Sequence, residues 1–395
     1  MDKTDKERRP HWTKITGYVL NLINNLIAML SVVVYLHSVR WALPAVVMVG
    51  TAPFFVGLWG GIRLVTSILP KGCYRKADDF LYTIYQRMTI FFFYHVSGVE
   101  LLAYGDTDIL KKKENAIYLC NHQNTVDWMI ANYVAIHQGS LGHIRYILKD
   151  GLRFLPFYGP YFKQHGCAYV KRGGKFNQEK LKKDISVIKM KKEPIWLVIF
   201  PEGTRYNPDL PNVIERSRTF ARDQGLKELQ NVLSPRTKAV YTCIEQLAGH
   251  VDVVYDITIA YSNTKDSSGR RKVAPPMTDF LMGKVPKLHL NLERIPLENV
   301  PKEEDKLHLW LHRLYEKKDK MMTDFYSDDV SVHNAGKFPG VAKTITFTYL
   351  QTLPSMLFLV AGTGLILASP EGRIAFGKYC LFGTLAGWVW MAFRS

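Results

Sequence analysis

Ala116-Ile117-Tyr118-Leu119-Cys120-Asn121-His122-Gln123-Asn124-Thr125-Val126-Asp127-Trp128 runs from a short apolar stretch straight into a polar turn that holds an imidazole and a carboxylate. The apolar part reads as a buried strand, because a short continuous hydrophobic run bounded by turn residues suits a strand covered on both faces. Similar runs recur at 167–170, 195–200, 253–260 and 287–292, and helical patterns at 126–138, 177–190 and 302–325 lie between or after them. Residues 80–93 have apolar positions near helical spacing and read as a helix packed on the sheet. The alternation predicts an α/β fold with a mixed, largely parallel sheet flanked by helices. In such sheets ligands sit outside the carboxyl ends of the strands, which is where the turn after Cys120 falls. The polar stretch 262–276, with Arg270-Arg271-Lys272, reads as a surface loop.

His122 stands five residues before Asp127. On an ideal helix that spacing would put the two side chains about 140° apart. A strand-to-helix turn suits it better, with Asn124 or Thr125 as N-cap and Asp127 in the first helical turn. There Asp127 can accept from His122 Nδ1–H and leave Nε2 as an acceptor. That is the base and orienter of a catalytic triad with the enzyme nucleophile missing. A capping network would satisfy the same two residues, so the spacing alone decides nothing.

Two further stretches suit anions. Phe200-Pro201-Glu202-Gly203-Thr204-Arg205 follows a strand with a turn, a hydroxyl and a guanidinium suited to bidentate phosphate recognition. Gly166-Cys167-Ala168-Tyr169-Val170-Lys171-Arg172 ends a strand in two cations, and Gly173-Gly174 after it can expose backbone N–H groups to an anion. A solvated basic turn would have the same composition.

The formal net charge of +17 predicts anionic partners: phospholipid surfaces, phosphorylated metabolites or nucleic acid. Five scattered cysteines without a Cys-x-x-Cys pair argue against a disulfide framework and a zinc site, and no metal is expected. Four runs, 15–36, 41–62, 344–369 and 374–393, approach the roughly 20 residues a helix needs to cross the hydrocarbon core. Short connectors make them an N-terminal and a C-terminal membrane helical hairpin, either spanning or re-entrant and interfacial, and Asn21, Asn24 and Asn25 weaken the first run. The excess of Lys and Arg in the tail and middle predicts that both tails and the middle face the cytosol. The expected organisation is residues 1–70 as tail and hairpin, 71–343 as catalytic domain and 344–395 as second hairpin. Four membrane-length runs and no recognised nucleic-acid module exclude nucleic-acid binding from the expectation.

The order and spacing of the three motifs resemble the glycerolipid acyltransferase family. The text around them, including Val198-Ile199-Phe200-Pro201-Glu202-Gly203-Thr204-Arg205-Tyr206-Asn207-Pro208, looks like the epsilon-type 1-acylglycerol-3-phosphate acyltransferases, a group close to the lysocardiolipin acyltransferases. The resemblance implies His122 as general base on the free hydroxyl of a lysophospholipid and Asp127 as its orienter. It implies Glu202, Gly203 and Thr204 shaping the substrate site, and Arg205, supported by Lys171 and Arg172, holding the acceptor phosphate. Acyl-CoA would be co-substrate, with no bound cofactor, and membrane lipids the surroundings. Endoplasmic reticulum is the expected location, with mitochondrial and nuclear-envelope membranes as alternatives.

One departure stands out. The family's fourth motif centres on a proline after a late strand, and the segment 253–258 has none. Three rival readings are an acceptor such as lysocardiolipin, Cys120 or Cys167 as acyl-accepting nucleophile, and a lipid-binding membrane scaffold without catalysis.

Overall fold

The computed structural model describes residues 11–70, 72–171, 176–329 and 331–394. Among these, eight strands form one sheet: β1 (Glu100–Gly105), β2 (Ala116–Cys120), β3 (Ile144–Lys149), β4 (Ala168–Val170), β5 (Trp196–Ile199), β6 (Val253–Tyr261), β7 (Lys287–Pro296) and β8 (Lys343–Ile345). Their order is β4-β3-β5-β2-β6-β7-β1-β8. The first five pair in parallel; β7 lies antiparallel to β6, β1 parallel to β7 and β8 antiparallel to β1. The sheet is therefore mixed and largely parallel, as the alternating runs predict. β2 and β6 are buried at every position, which is why they read as unbroken apolar stretches. β1, β3 and β8 escape the sequence reading. β3 carries Arg145 and Lys149, and β8 is three residues on an edge, so only pairing makes them strands.

Twelve α-helices are described: α1 (His11–Val39), α2 (Ala42–Val65), α3 (Cys73–Ile90), α4 (Trp128–Ala135), α5 (Tyr158–His165), α6 (Gln178–Met190), α7 (Pro211–Asp223), α8 (Thr237–Leu247), α9 (Met277–Leu281), α10 (Glu304–Phe325), α11 (Tyr349–Leu367) and α12 (Pro370–Arg394). One core joins the sheet to α3 and α4, the other joins it to α6, α8 and α10. Local chemistry sets the helix ends. Asn177 Oδ1 accepts Lys180 N–H at 2.9 Å and caps α6. α5 stops at Gly166, whose φ of 105° suits glycine and where a Cβ would come within 3.1 Å of Arg145 Nε.

α2 and α11 are long and apolar enough to cross a membrane, and α1 has a shorter apolar stretch, Leu20–Tyr35. α3 fixes the direction of both. Trp59 Nε1 donates to Tyr74 OH at one end of α3 and Tyr85 OH donates to Met48 O at the other, so α2 is antiparallel to it. Tyr349, at the start of α11, stacks on His95 just past the end of α3, while Ile366 and Ala77 line one groove. α11 is therefore antiparallel to α3 too. α2 and α11 run side by side in the same direction, with Phe54 against Phe358.

A middle region confined to one side is reached through α2 and left through α11, so two fully spanning helices would run in opposite directions. The parallel run of α2 and α11 suits the re-entrant or interfacial alternative to full spanning. α2 and α11 lie along the domain on α3, and their outer residues Leu43, Val46, Leu64, Leu357 and Leu365 remain exposed.

Candidate active site

β2 and β5 are parallel neighbours with Leu119 opposite Ile199, so the turns that follow them leave the same edge of the sheet. β6 flanks β2 on the other side. Asn121 clasps it: Nδ2 donates to Ile259 O at 3.1 Å and Oδ1 accepts Ile259 N–H at 2.8 Å. The turn therefore leaves β2 already tied to its neighbour.

His122 Nδ1 lies 2.8 Å from Asp127 Oδ2. The same oxygen accepts the backbone N–H groups of Gln123 at 2.6 Å and Asn124 at 2.8 Å, and Oδ1 accepts the Tyr261 hydroxyl at 2.6 Å. An ionised carboxylate only accepts, so these contacts assign a proton to Nδ1 and leave Nε2 as the basic atom. Nε2 makes no hydrogen bond among the described residues. The imidazole stacks on Phe200 at 4.5 Å and keeps 14 % of its side chain exposed, against 0 % for Asp127. The local turn differs from expectation in one detail. Asp127, not Asn124 or Thr125, occupies the N-cap position of α4, and its carboxylate faces back to the turn. Asn124 Oδ1 accepts Val126 N–H at 3.2 Å, and its Nδ2 donates to Pro275 O.

Glu202 grips the backbone of His122. Its Oε1 accepts His122 N–H at 2.8 Å and its Oε2 accepts Leu233 N–H at 3.1 Å. Burial pushes this carboxyl up to about 8, while the two N–H groups pull the other way. Tyr206 N–H donates to His122 O at 2.7 Å, so the turn after β5 holds the first motif at both backbone atoms of His122. Gly203 adopts a φ of 69° in that turn. Thr204 and Arg205 are exposed, and neither side chain bonds or pairs with any described residue. Lys171 is exposed at the end of β4. β4 is three strands from β2, roughly 14 Å at the usual strand spacing. Arg172 lies outside the described residues.

Two contributors went unread in the sequence. Pro275 supplies a contact to the first motif after β6, near the end of the long excursion 262–276 and not within the strand. Arg271, on the same excursion, donates from Nη2 to Gln123 Oε1 at 2.6 Å. The signal was the Arg270-Arg271-Lys272 run, but solvated loops have the same composition.

Both cysteines weighed as nucleophiles are buried. Burial raises the Cys120 thiol well above its ordinary range and the Cys167 thiol to about 11. Neither bonds to His122, so neither is a poised thiolate. Asp78, Asp79 and His165 also gather, with ligand atoms close enough to hold a metal ion. Arg145 fills that cluster: Nη1 donates to His165 Nε2 and Nη2 to Asp79 Oδ1, each at 2.7 Å.

An accessible imidazole oriented by a buried carboxylate, with no hydroxyl or thiol of the described residues bonded to it, suits transfer to a hydroxyl that the substrate brings. Residues 102–262 match the acyltransferase family model and residues 279–359 the acyltransferase C-terminus model. The chain is 40% identical to 1-acyl-sn-glycerol-3-phosphate acyltransferase epsilon of Mus musculus, over 93% of this chain and 100% of that one. It is 26% identical to lysocardiolipin acyltransferase 1 of Mus musculus, over 72% of this chain and 74% of the relative. A solved 1-acyl-sn-glycerophosphate (LPA) acyltransferase from Thermotoga maritima superposes with a TM-score of 0.43 at 18% identity, covering 73% of this chain and 98% of that one. The chain belongs to the glycerolipid acyltransferase family and is similar over nearly its whole length to the epsilon-type enzymes. It is an acyltransferase of the 1-acylglycerol-3-phosphate class.

Proposed function

We propose that this enzyme transfers a fatty acyl group from acyl-CoA to the sn-2 hydroxyl of 1-acylglycerol 3-phosphate, giving phosphatidic acid. The observation that carries the reading is the His122–Asp127 bond with Nε2 left open on the accessible side. His122 Nε2 takes the hydroxyl proton while the oxygen attacks the thioester carbonyl. The tetrahedral intermediate collapses with cleavage of the C–S bond. Coenzyme A leaves as a thiolate of pKa about 8.5, which needs little acid assistance. A positioned base contributes roughly 100- to 10,000-fold. Asp127 fixes the tautomer and stabilises the imidazolium that forms. Glu202, Gly203 and Thr204 shape the turn beside the base, and Arg205 and Lys171 supply cations at the same edge of the sheet for substrate phosphates, with Arg172, the next residue in the chain, as a further cation. Acyl-CoA acts as co-substrate; no cofactor is required in this scheme.

The exposed apolar faces of α2, α11 and α12 rest in one leaflet and keep the site at the lipid surface. The net charge of +17 favours an anionic cytosolic leaflet, at about 1 kcal/mol per basic residue near it. Endoplasmic reticulum is the proposed membrane. Similarity to a lysocardiolipin acyltransferase keeps monolysocardiolipin as a second acceptor to test.

The experiment is thiol release from oleoyl-CoA by purified protein with lysophosphatidic acid, monolysocardiolipin and other lysophospholipids, alongside His122→Ala. Acceptor-dependent release lost in the variant is expected. Equal rates in both proteins would remove His122 from the mechanism, and turnover only with monolysocardiolipin would replace the acceptor.

A further inference from the structure

Arg271 sits on the excursion 262–276, which folds back over the site instead of standing clear in solvent. The excursion is tied at Thr264 Oγ1 to Tyr326 OH at 2.9 Å, and at Pro275 O to Asn124 Nδ2. Between these ties the Arg271 guanidinium lies between two rings, 4.2 Å from the centre of Tyr206 and 4.6 Å from that of Tyr326. Nη1 donates to Asn231 O at 2.6 Å and Oδ1 at 3.2 Å, and Nη2 donates to Gln123 Oε1 at 2.6 Å. Gln123 is the residue after the base, and its own Nε2 donates to Ile259 O at 2.6 Å.

Charge balance carries the argument. Arg271 is half-buried, and its three acceptors are all neutral. No carboxylate among the described residues forms an ion pair with it. Its neighbours differ: Lys265 pairs with Asp328 and Arg270 with Asp266, although both pairs are more exposed. The buried Arg145 pairs with Asp79. Glu202 is buried close by but commits both oxygens to backbone N–H groups. A partly desolvated cation without a counter-ion is costly. Nε–H also lacks an acceptor among the described residues. A fixed positive charge with an open donor, one residue from the base, is built for an anion that arrives with substrate.

We propose that Arg271 is the counter-ion of the acceptor's phosphate monoester, and that it selects acceptors by headgroup. The proposal rests on the acylation of 1-acylglycerol 3-phosphate set out above. The two tyrosine rings fix the guanidinium plane, and Gln123 and Asn231 fix its rotation, so a rigid fork meets the phosphate. Headgroup recognition thereby reaches the catalytic motif itself through Gln123, while Arg205 remains an exposed auxiliary cation.

The test is steady-state kinetics of the full-length protein with Arg271→Gln and Arg271→Lys, varying lysophosphatidic acid and oleoyl-CoA separately. In Arg271→Gln the KM for lysophosphatidic acid should rise about tenfold or more, the usual scale for losing a charge-assisted bond. Arg271→Lys should recover part of this loss, and the KM for oleoyl-CoA should stay close to wild type. Turnover of lysophosphatidylcholine, whose phosphate is a diester, should fall less, narrowing the preference. Equal loss of kcat on every acceptor with KM unchanged would make Arg271 only a prop for Gln123 and overturn the proposal. A rise confined to the KM for oleoyl-CoA would assign the cation to coenzyme phosphates and overturn it as well. A calorimetric arm needs no turnover: His122→Ala protein is titrated with lysophosphatidic acid, with and without Arg271→Gln. Weaker binding with the second substitution supports the proposal, and unchanged binding overturns it. If wild type acylates no lysophospholipid, the proposed reaction fails while this arm still judges Arg271. If Arg271→Gln does not fold, Arg271→Lys at unchanged melting temperature carries both readouts.

Discussion

The molecule contains two His–Asp pairs of the same length in opposite surroundings. His122 Nδ1 to Asp127 Oδ2 and His165 Nδ1 to Asp78 Oδ2 are both 2.8 Å. Both carboxylates are fully buried, and each also accepts a tyrosine hydroxyl, from Tyr261 and Tyr161 respectively. The difference lies at the far nitrogen. His122 Nε2 is left open on an accessible ring, whereas His165 Nε2 accepts Arg145 Nη1–H at 2.7 Å on a ring with no exposure. Burial, helped by the Arg145 charge, drives His165 down to about 3. An oriented imidazole becomes a base only where its second nitrogen is left for substrate. The other pair is a rivet: it joins α3 to α5 and, through Arg145 and Arg75, to β3 and Glu193.

The comparison breaks most sharply on substitution. His122→Ala should lower acyl transfer by roughly 100- to 10,000-fold while chemical denaturation stays near wild type. Asp78→Ala should do the reverse. It leaves Arg75, His165 Nδ1 and the Tyr161 hydroxyl short of a buried partner and should cost about 3–5 kcal/mol of stability in urea titrations, with turnover per folded molecule preserved. Comparable losses of stability in both variants would erase the distinction.

Acidification sharpens it next. The native state holds His165 neutral down to about pH 3, whereas an unfolded imidazole takes a proton near 6.5. Between those values the unfolded state binds more protons, so stability falls as pH is lowered from about 6.5 toward 3. The slope from this residue is at most about 1.4 kcal/mol per pH unit. His165→Gln should flatten that part of the pH–stability curve, and an unchanged slope would count against the assignment. The smallest effect belongs to Tyr261→Phe, which removes one of the four donors on Asp127. The cost is about 1 kcal/mol, read as a drop in kcat of several-fold with the KM for acyl-CoA unchanged.

How much of this was legible can be followed residue by residue. β2, β5, β6 and β7 showed as apolar runs because burial on both faces demands them. His122 and Asp127 showed through their motif, and Glu202 through the turn after β5. β3 did not, since a strand containing Arg145 looks polar until Asp79 and His165 are seen beside it. Arg271 and Pro275 did not, because a stretch rich in serine, glycine and charge reads as solvent-facing wherever it goes. His165 and Asp78 did not, being 87 residues apart with no motif to join them. The apolar ends were visible as membrane-length runs, but their direction was not.

Local spacing and hydrophobic pattern by themselves determined the class of fold, the edge of the sheet on which the His122–Asp127 turn sits and the candidacy of that pair. Those properties are set by near neighbours in the chain, through strand burial and the geometry of a single turn. Tertiary structure alone decided which His–Asp pair keeps an open nitrogen, which arginine reaches Gln123 beside it, and that α2 and α11 run in parallel along α3. Each of those depends on groups distant in sequence competing for one small volume, where burial and the presence or absence of a counter-charge set the outcome.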